Sequence, residues 1–544
     1  MPQMTGSQVL VRSLAREGVE ALFTLPGAQI MGIFDALYEH PEIHLITVRH
    51  EQTTTFMADG YARVKGKPGV ALVVPGPGVQ NASAGLSTAY SASSPVLLLA
   101  GQIQSAMIGK DKGALHEIND QLDLVRPVTK WCRRVLSVRD IPGAVHEAFK
   151  QMKTGRPRPT EVEIPPDVLA SSAQAELLER EDYSRLASDR RLVRQAAELL
   201  HAAKKPLIWA GGGVIVSDAS KELTALAEKL GAPVATTAEG KGSIPEDHPL
   251  ALGASYHGMG GPAGAAPKAD ILLAVGTRFS RQMTGATKPH TNQRLVHIDA
   301  DPEVIGRNFP AEIAIVVDPV DQNMRGLLEE VCKREAPGSR WTDAELGKIS
   351  EDSRRQLEEL APVQWEIIAQ IRKALDDDAI LVSGVTNVGY WSYFAYRVRR
   401  PRTYLTASYA ATLGFAFPTA LGAKMAGPGQ TVVSLSGDGG FMYALPELAT
   451  AVQYGINVIA VVFVDNAFGA LLNDQRMHYR GRLIGTELHN PSFAQLAELF
   501  GARGIKAEPD RLQLALQEAQ ESPRPTVIEV PMPTLTPPFQ IDGR

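Results

Sequence analysis

The chain has 544 residues, of which 44% are hydrophobic and 21% charged, and its formal net charge is -5. This balance is typical of a compact folded protein, and the length predicts about three domains. Acidic and basic residues are interspersed, which argues against nucleic acid or an anionic membrane as a partner and favours a small molecule. No apolar run reaches the ~20 residues that a membrane-spanning helix needs.

Two features bear on the cellular compartment. Cys132 and Cys332 lie far apart and lack metal-ligand spacing, so we expect reduced thiols in a cytoplasmic protein. Residues 1–20 follow an amphipathic helical pattern and lack the apolar stretch of a signal peptide.

Short apolar, β-branched runs alternate with helical patterns along the chain. Such runs are typical of parallel sheets that helices cover on both faces. The sequence therefore predicts an α/β fold of doubly wound parallel-sheet domains, with ligands at the carboxyl ends of the strands. The runs occupy residues 69–74, 95–100, 206–210, 271–275, 431–435 and 458–464.

Composition and an internal repeat predict where the domains divide. Charge-rich segments near 170–190 and 334–359 indicate linkers, so we expect domains at 1–170, 190–333 and 360–544. Residues 156–165 read RPRPTEVEIP and residues 522–531 read SPRPTVIEVP. A shared Pro-bounded strand at two domain ends predicts that the first and third domains are alike and the middle one is different.

A glycine-rich turn follows the apolar run at 431–435. It contains Gly437, Gly439 and Gly440 and precedes a helical stretch at 445–454, which together indicate an anion site. Asp438 inside this turn would repel a phosphate unless a divalent cation lay between them, and Mg²⁺ is the natural candidate. The next apolar run, 458–464, brings residues 465–469 to the neighbouring strand end, where we expect the second protein ligand.

The Gly-Asp-Gly turn and the residues near Asp465 resemble the diphosphate motif of thiamine-diphosphate enzymes, where an Asn-Asn pair follows a little under thirty residues later. The resemblance implies that Asp438, the side chain of Asp465 and the carbonyl of Ala467 bind the metal, with an Asp in place of the usual second Asn. Asn466 is the alternative if the loop is shifted by one residue.

Residues 48–63 resemble the family's glutamate helix. The resemblance gives Glu51 the role of hydrogen-bonding N1′ of the cofactor pyrimidine, which favours the 4′-imino tautomer that removes the C2 proton. It also implies that an apolar wedge bends the cofactor and that further residues contact it. Leu413 is the wedge, the Ala411 carbonyl binds the 4′-amino group, Pro26, Gly27, Gly76, Asn81 and Gln102 line the pyrimidine and substrate side, and Val385, Thr386 and Asn387 form a diphosphate loop.

The whole chain resembles the catalytic subunit of acetohydroxyacid (acetolactate) synthase and its decarboxylase relatives. In this family the first and third domains meet across a subunit interface, so we expect a homodimer or homotetramer. The implied activity is a thiamine-diphosphate- and Mg²⁺-dependent carboligase or decarboxylase acting on 2-keto acids. A lyase of the 2-hydroxyacyl-CoA or oxalyl-CoA type, with an acyl-CoA or aldehyde partner, is the alternative.

Several substrate positions depart from the synthase. Gln282 replaces an arginine that binds a keto-acid carboxylate, and Asp474 replaces a tryptophan that selects the second keto acid. Leu115 and His116 replace a Phe-Gln pair, while Glu117 is retained. These departures weaken the case for acetolactate formation specifically. His116 is either a substrate-side acid–base group or a plain polar residue of the cleft.

The middle domain resembles one that binds FAD in the synthase and ADP in oxalyl-CoA decarboxylase. Gly211–Gly213 follow an apolar run but do not complete a Gly-x-Gly-x-x-Gly fingerprint, so FAD, ADP and an empty domain all remain open. A non-catalytic nucleotide-binding scaffold is the remaining alternative, and it would require Glu51 and Asp438 to have no role.

Overall fold

The computed structural model describes residues 3–183, 188–280, 293–317, 323–333 and 341–539. Within these ranges the strands form three parallel sheets of six strands and one antiparallel pair. Alternate residues of one central strand enter two different cores, since Val70 and Leu72 pack on one side and Ala71 and Val73 on the other. Helices therefore cover both faces, which confirms the predicted doubly wound architecture.

The first sheet has the strand order β3-β2-β4-β5-β7-β6. Strand β1 pairs with β8 outside this sheet, and β8 lies within the segment 170–190 that we expected to be a linker. The strands are β1 Gln3–Thr5, β2 Ala21–Thr24, β3 His44–Thr47, β4 Gly69–Val73, β5 Val96–Gly101, β6 Trp131–Arg134, β7 Thr160–Ile164 and β8 Ser172–Gln174.

The middle sheet has the order β11-β10-β9-β12-β13-β14, which counts as 3-2-1-4-5-6 within the sheet. This is the order of the doubly wound sheets that bind dinucleotides. Its strands are β9 Pro206–Ala210, β10 Val234–Thr236, β11 Ala251–Ala254, β12 Ile271–Val275, β13 Arg294–Asp299 and β14 Ile313–Val316.

The third sheet has the order β16-β15-β17-β18-β20-β19. Counted within each sheet, the first and third sheets share the order 2-1-3-4-6-5, which confirms that these two domains are alike. The repeated sequence supplies β7 and β20, and these strands occupy the same position in the two sheets. The strands are β15 Ile380–Ser383, β16 Tyr404–Thr406, β17 Val432–Gly437, β18 Ile459–Val464, β19 Arg503–Lys506 and β20 Thr526–Pro531.

Helices connect the strands of all three sheets. In the part of the chain that the structure describes, none of them is both long and apolar enough to cross a membrane. They are α1 Gly6–Arg16, α2 Met31–Leu37, α3 Glu51–Lys65, α4 Pro77–Ala92, α5 Gln121–Val125, α6 Ile141–Lys153, α7 Pro166–Ala170, α8 Arg190–Ala202, α9 Gly212–Val216, α10 Ser220–Leu230, α11 Gly261–Ala265, α12 Asn323–Cys332, α13 Asp343–Leu360, α14 Pro362–Ala374, α15 Asn387–Ala395, α16 Ala416–Ala426, α17 Asp438–Met442, α18 Glu447–Gln453, α19 Gly469–His478, α20 Phe493–Leu499 and α21 Leu512–Gln520.

The expected linker at 334–359 contains helix α13, an 18-residue element that begins at an N-cap threonine, Thr342. Leu346 and Ile349 are buried and pack with Trp341 into a core of the middle domain. A few apolar residues at helical spacing are enough to attach a helix that is otherwise charged, and this is why composition alone suggested a linker.

Helices α3 and α16 join the first domain to the third. A Cβ atom added at Gly60 would lie 2.1 Å from the backbone oxygen of Thr419, and one added at Gly422 would lie 2.0 Å from that of Met57. The two backbones are therefore in direct contact, and no larger side chain fits at either glycine. This crossing fixes the position of α3, whose first residue is Glu51.

We expect Gly60→Ala to lower the free energy of unfolding by about 1–3 kcal/mol, because the two helices must separate to admit the methyl group. Gly347→Ala is the matched control, since Gly347 lies in helix α13 with nothing within 4 Å of the added Cβ. That control should be neutral or stabilising by up to ~1 kcal/mol. Urea denaturation measures both variants, and an unchanged midpoint for Gly60→Ala would contradict the close crossing.

Candidate active site

Asp438 lies where strand β17 ends, and it is the first residue of helix α17. The sequence predicted a helix at 445–454, and α18 begins there at Glu447. The short helix α17 precedes it and begins directly at Asp438. The Asp438 side chain is buried. Its Oδ1 accepts the Gly439 N–H at 2.7 Å, and its Oδ2 accepts the Asn466 N–H at 2.7 Å.

Asp465 follows the end of the neighbouring strand β18, and its Oδ1 accepts the Ala467 N–H at 3.3 Å. Burial, and to a lesser extent the charge of Asp465, raises the pKa of Asp438 to about 6. Burial also raises the pKa of Asp465. A buried carboxylate next to a partly buried one is unfavourable without a positive charge, and the hard oxygen atoms of both are the ligands that Mg²⁺ prefers.

The described residues contain no group of three or more His, Cys, Asp or Glu side chains arranged to hold a metal ion. A cation bound at Asp438 and Asp465 would therefore complete its shell with backbone carbonyls, water or phosphate oxygens. That pattern fits Mg²⁺, which usually keeps only one or two carboxylate ligands and shares the rest of its shell with phosphate.

Asn490 is a neighbour of Asp438 that the sequence did not reveal. Its Nδ2 donates to Oδ2 of Asp438 at 2.9 Å and to Oδ1 of Asn466 at 3.2 Å. The side chain of Asn466, our alternative ligand, thus faces Asn490. Asn490 lies in an irregular segment outside both motifs, so no local pattern identified it.

The loop Val385–Asn387 lies beside the glycine turn. Oγ1 of Thr386 is 3.2 Å from the position that a Cβ would take at Gly437. Asn387 is engaged elsewhere, because its Nδ2 donates to the backbone oxygen of Leu535 at 2.7 Å and its Oδ1 accepts from Gln364 at 2.9 Å. Of this loop, Thr386 is therefore the residue whose side chain faces the turn.

Glu51 and Asn81, which the sequence predicted to share a site, are in contact. Nδ2 of Asn81 donates to Oε2 of Glu51 at 3.0 Å. Asn81 lies in helix α4, which begins immediately after Gly76. Gly76 has a φ of 58°, and a Cβ there would lie 2.4 Å from the backbone oxygen of His116. Only glycine fits this entry to α4, and it brings the His116 loop against the Glu51 region.

The other first-domain residues predicted for the site, Pro26, Gly27 and Gln102, also lie just after strands of the first sheet. A Cβ at Gly27 would lie 2.2 Å from Cγ1 of Val74, and the preceding Pro26 is exposed. Gln102 is buried, and its Oε1 accepts the Ile103 N–H at 2.7 Å. Its side chain therefore folds onto its own backbone, and its amide nitrogen is the group left for other contacts.

His116 has an unusual backbone and environment. Its φ is 69°, a region that residues with side chains seldom adopt. Its Nδ1 is shielded from solvent and has no hydrogen-bond partner among the described residues. Backbone N–H groups hold the neighbouring Glu117, whose pKa they lower, and Oε2 of Glu117 accepts the Ala114 N–H at 2.8 Å.

The predicted wedge lies next to the diphosphate turn. Cδ2 of Leu413 is 3.9 Å from the position that a Cβ would take at Gly440. Ala411 is exposed and has a φ of 47°. Between Ala411 and Leu413, Oγ1 of Thr412 is 2.8 Å from Oγ1 of Thr88 in α4, so this segment also contacts the first domain.

Gln282 and Asp474 were both predicted to lie on the substrate side, and the structure describes only one of them. Gln282 lies outside the described residues. Asp474 is buried in helix α19, and its Oδ1 is 3.0 Å from Nδ1 of His478.

A cleft of about 660 Å³ runs between the first and middle domains at the carboxyl ends of the middle sheet. The turn Gly211–Gly213 lines it, together with Glu239 and two arginines, Arg156 and Arg278. Arg156 is paired with Asp299 at 2.6 Å. A second cavity of about 820 Å³ shares Gly212 and Glu239 with the first, so the two spaces adjoin.

Comparison with known families and proteins agrees with this geometry. Residues 4–124 match "Thiamine pyrophosphate enzyme, N-terminal TPP binding domain", residues 193–323 match the central domain of the same enzymes, and residues 384–530 match their C-terminal TPP binding domain.

Relatives of similar length extend the match over nearly the whole chain. The chain is 35% identical to a probable acetolactate synthase large subunit of Methanocaldococcus jannaschii, over 97% of this chain and 92% of the relative. It is 35% identical to the acetolactate synthase large subunit of Haemophilus influenzae, over 95% and 92%. It is also 34% identical to a probable 2-ketoarginine decarboxylase of Pseudomonas aeruginosa, over 92% and 88%. With all three domains matched in order, the chain belongs to the thiamine pyrophosphate enzyme family.

Proposed function

We propose that this protein is a thiamine-diphosphate- and Mg²⁺-dependent enzyme that forms or cleaves a carbon–carbon bond next to the carbonyl of a 2-keto acid. The observation that carries the proposal is the buried carboxylate of Asp438, with the partly buried carboxylate of Asp465 near it, beside a glycine turn. Their raised pKa values and hard oxygen atoms call for a cation, and the turn suits the phosphate groups that such a cation would bridge.

The metal would be held by the carboxylates of Asp438 and Asp465 and by the carbonyl of Ala467. Asn490 holds Oδ2 of Asp438 in place by a hydrogen bond of 2.9 Å. The diphosphate would contact the backbone of the glycine turn and the hydroxyl of Thr386. Residues at this contact are Gly437, Gly439, Gly440, Val385, Thr386 and Asn387, the last through its backbone because its side chain is bound to Gln364 and Leu535.

Bound thiamine supplies a carbon nucleophile at C2 and an electron sink for the cleaved bond. The chain's own contribution would be the carboxyl group of Glu51, which would hold a proton at N1′ of the pyrimidine, and Asn81 fixes the direction of this carboxyl group. Leu413 would hold the two rings bent toward each other, and the carbonyl of Ala411 would accept the 4′-amino group.

We propose that the active unit is a homodimer or homotetramer. Ala411 is exposed, and Tyr443 has an exposed fraction of 51%. Cβ of Tyr443 lies 2.7 Å from the position that a Cβ would take at Gly414, next to Leu413, so a partner subunit would cover this exposed ring beside the expected cofactor site.

The substrate is proposed on two grounds. Relatives are named as acetolactate synthases and as a probable 2-ketoarginine decarboxylase, and both names point to 2-keto acids. Asp474 and His116 are the two described positions at which we expect the substrate side to differ from the synthase, and Nδ1 of His116 has no hydrogen-bond partner among the described residues. We therefore rank a 2-keto-acid decarboxylase or acyloin-forming carboligase level with an acetolactate synthase, and an acyl-CoA lyase below both.

We also propose that the cleft at Gly211–Gly213 accommodates a nucleotide, FAD or ADP. Its glycine turn lies at the carboxyl end of β9, and Arg278 supplies positive charge for phosphate groups, whereas the charge of Arg156 is compensated by Asp299. Sheet order 3-2-1-4-5-6 supports the same assignment.

We expect Asp438→Ala to weaken Mg²⁺-dependent binding of thiamine diphosphate by roughly 100-fold or more, since even residues outside the metal shell contribute 10- to 100-fold. Isothermal titration calorimetry with and without Mg²⁺ measures this. Asp510→Ala is the control, because Asp510 is exposed on the same domain. Titrations of FAD and ADP run in parallel and should not differ between the variants. Native affinity in Asp438→Ala would show that the metal assignment is wrong.

We expect Glu51→Gln to bind thiamine diphosphate with nearly native affinity but to lose about 10²–10⁴-fold in the rate of C2 hydrogen–deuterium exchange, because an amide cannot share a proton with N1′. Quenched-flow NMR of the bound cofactor reports this rate. Exchange at the wild-type rate would remove Glu51 from the mechanism.

A substrate panel distinguishes the reactions. If Gln282 has replaced a carboxylate-binding arginine, pyruvate loses a charge-assisted hydrogen bond worth ~1.5–3 kcal/mol, and two pyruvates should condense poorly. We expect mass spectrometry to show decarboxylation or acyloin formation from other 2-keto acids, including one with a guanidinium group. Efficient acetolactate formation from pyruvate alone would contradict our interpretation of Gln282, and cleavage of acyl-CoA alone would favour the lyase.

A further inference from the structure

Glu447 is a buried carboxylate that links the third domain to the start of the helix bearing Glu51. It is the first residue of helix α18, five residues after α17 ends, and only 1% of its surface is exposed. Glu447 lies outside the glycine turn and outside the glutamate helix, so neither motif indicated it in the sequence. Its position nevertheless connects the segment that carries Asp438 to the segment that carries Glu51.

The Glu447 carboxylate accepts two consecutive backbone N–H groups of the first domain. Its Oε1 accepts from Arg49 at 3.1 Å and from His50 at 3.1 Å, and its Oε2 is 3.2 Å from the same Arg49 nitrogen. His50 is the N-cap of helix α3, and Glu51 is the next residue. The third domain thus supplies the acceptor for the two amide groups immediately before Glu51.

A charged side chain at this depth needs an explanation. Burial raises the pKa of Glu447, and hydrogen bonds from Thr450, Arg49 and His50 offset part of that rise. Oγ1 of Thr450 donates to Oε2 at 2.6 Å. The donors to this carboxylate are hydroxyl and backbone N–H groups, and among the described residues none of its hydrogen-bond donors is an arginine or lysine side chain. The carboxylate is therefore arranged to hold backbone amides at the N-terminal end of α3, where negative charge is favourable.

Neighbouring contacts restrain the same segment from both sides. The hydroxyl of Tyr454 accepts the Thr47 N–H at 3.0 Å, and Nε2 of Gln52 donates to the backbone oxygen of Tyr443 at 3.0 Å. Residues 47–52 are therefore attached to residues 443–454 on either side of Glu447. Of these contacts, those of Glu447 hold backbone N–H groups directly before Glu51, whereas Gln52 is held through its side chain.

We propose that Glu447 is a positioning residue for Glu51, fixing the backbone at Arg49 and His50 so that the Glu51 carboxylate meets N1′ of the cofactor. The proposal rests on the proposed function. Removing the acceptor leaves two amide groups unpaired and allows the first turn of α3 to shift. A displacement of about 1 Å in a catalytic group is enough to cost about 100-fold in rate.

The test uses the full-length protein with thiamine diphosphate and Mg²⁺, and it measures the C2 hydrogen–deuterium exchange rate and the cofactor dissociation constant. In Glu447→Ala we expect exchange to fall about 100-fold while the dissociation constant changes less than about threefold, since the displaced group acts on the pyrimidine and not on the diphosphate. Glu447→Gln keeps one acceptor oxygen and should give an intermediate rate. Glu508→Ala, an exposed glutamate of the same domain, is the control.

Exchange at the wild-type rate in Glu447→Ala would overturn the proposal. An equal loss of exchange and cofactor affinity would also overturn it, because that is the effect of a generally weakened site. If Glu447→Ala does not fold, Glu447→Gln is judged by the same criteria. A wild-type protein that neither binds thiamine diphosphate nor exchanges its C2 proton contradicts the proposed function itself, which keeps the two failures distinct.

Discussion

The contact between helices α3 and α16 is the constraint on which the rest of the candidate site depends. Two glycines, Gly60 and Gly422, allow the backbones to touch, and each faces a backbone oxygen of the other helix. Because backbone atoms cannot be displaced as a flexible side chain can, this crossing restricts the position of α3 against α16. The contacts of Glu447 with Arg49 and His50 then fix the end of α3 at which Glu51 begins.

The second determinant of the candidate site is the negative charge at the carboxyl ends of β17 and β18. Strands β17 and β18 are parallel neighbours, so their carboxyl ends lie at the same edge of the sheet. Asp438 and Asp465 follow these two ends and are therefore close in space although they are far apart in the sequence. The proximity of the two carboxylates is unfavourable because Asp438 is buried. The hydrogen bonds from Gly439, Asn466 and Asn490 do not fully offset this cost, since the pKa of Asp438 is still raised. The site is therefore arranged for a cation that the protein itself does not provide.

Much of the fold could be predicted because its signals are local. Buried parallel strands need continuous apolar runs, and the repeated decapeptide marked β7 and β20 as equivalent strands. The prediction failed at α13, where Leu346 and Ile349 attach a charged helix to the middle domain and composition suggested a linker. Composition averages over a segment, whereas packing depends on a few residues on one helical face.

The sequence by itself determined the three sheets, the likeness of the first and third domains, and the motifs around Glu51, Asp438 and Asp465. Only the tertiary structure decided which residues surround them. Asn490 lies 52 residues from Asp438, and Glu447 lies 397 residues from His50. No local sequence pattern indicates such a pairing. Motifs are visible in a sequence because backbone geometry near a ligand restricts residue types locally, while the residues that hold a motif in place are chosen by the packing of distant segments.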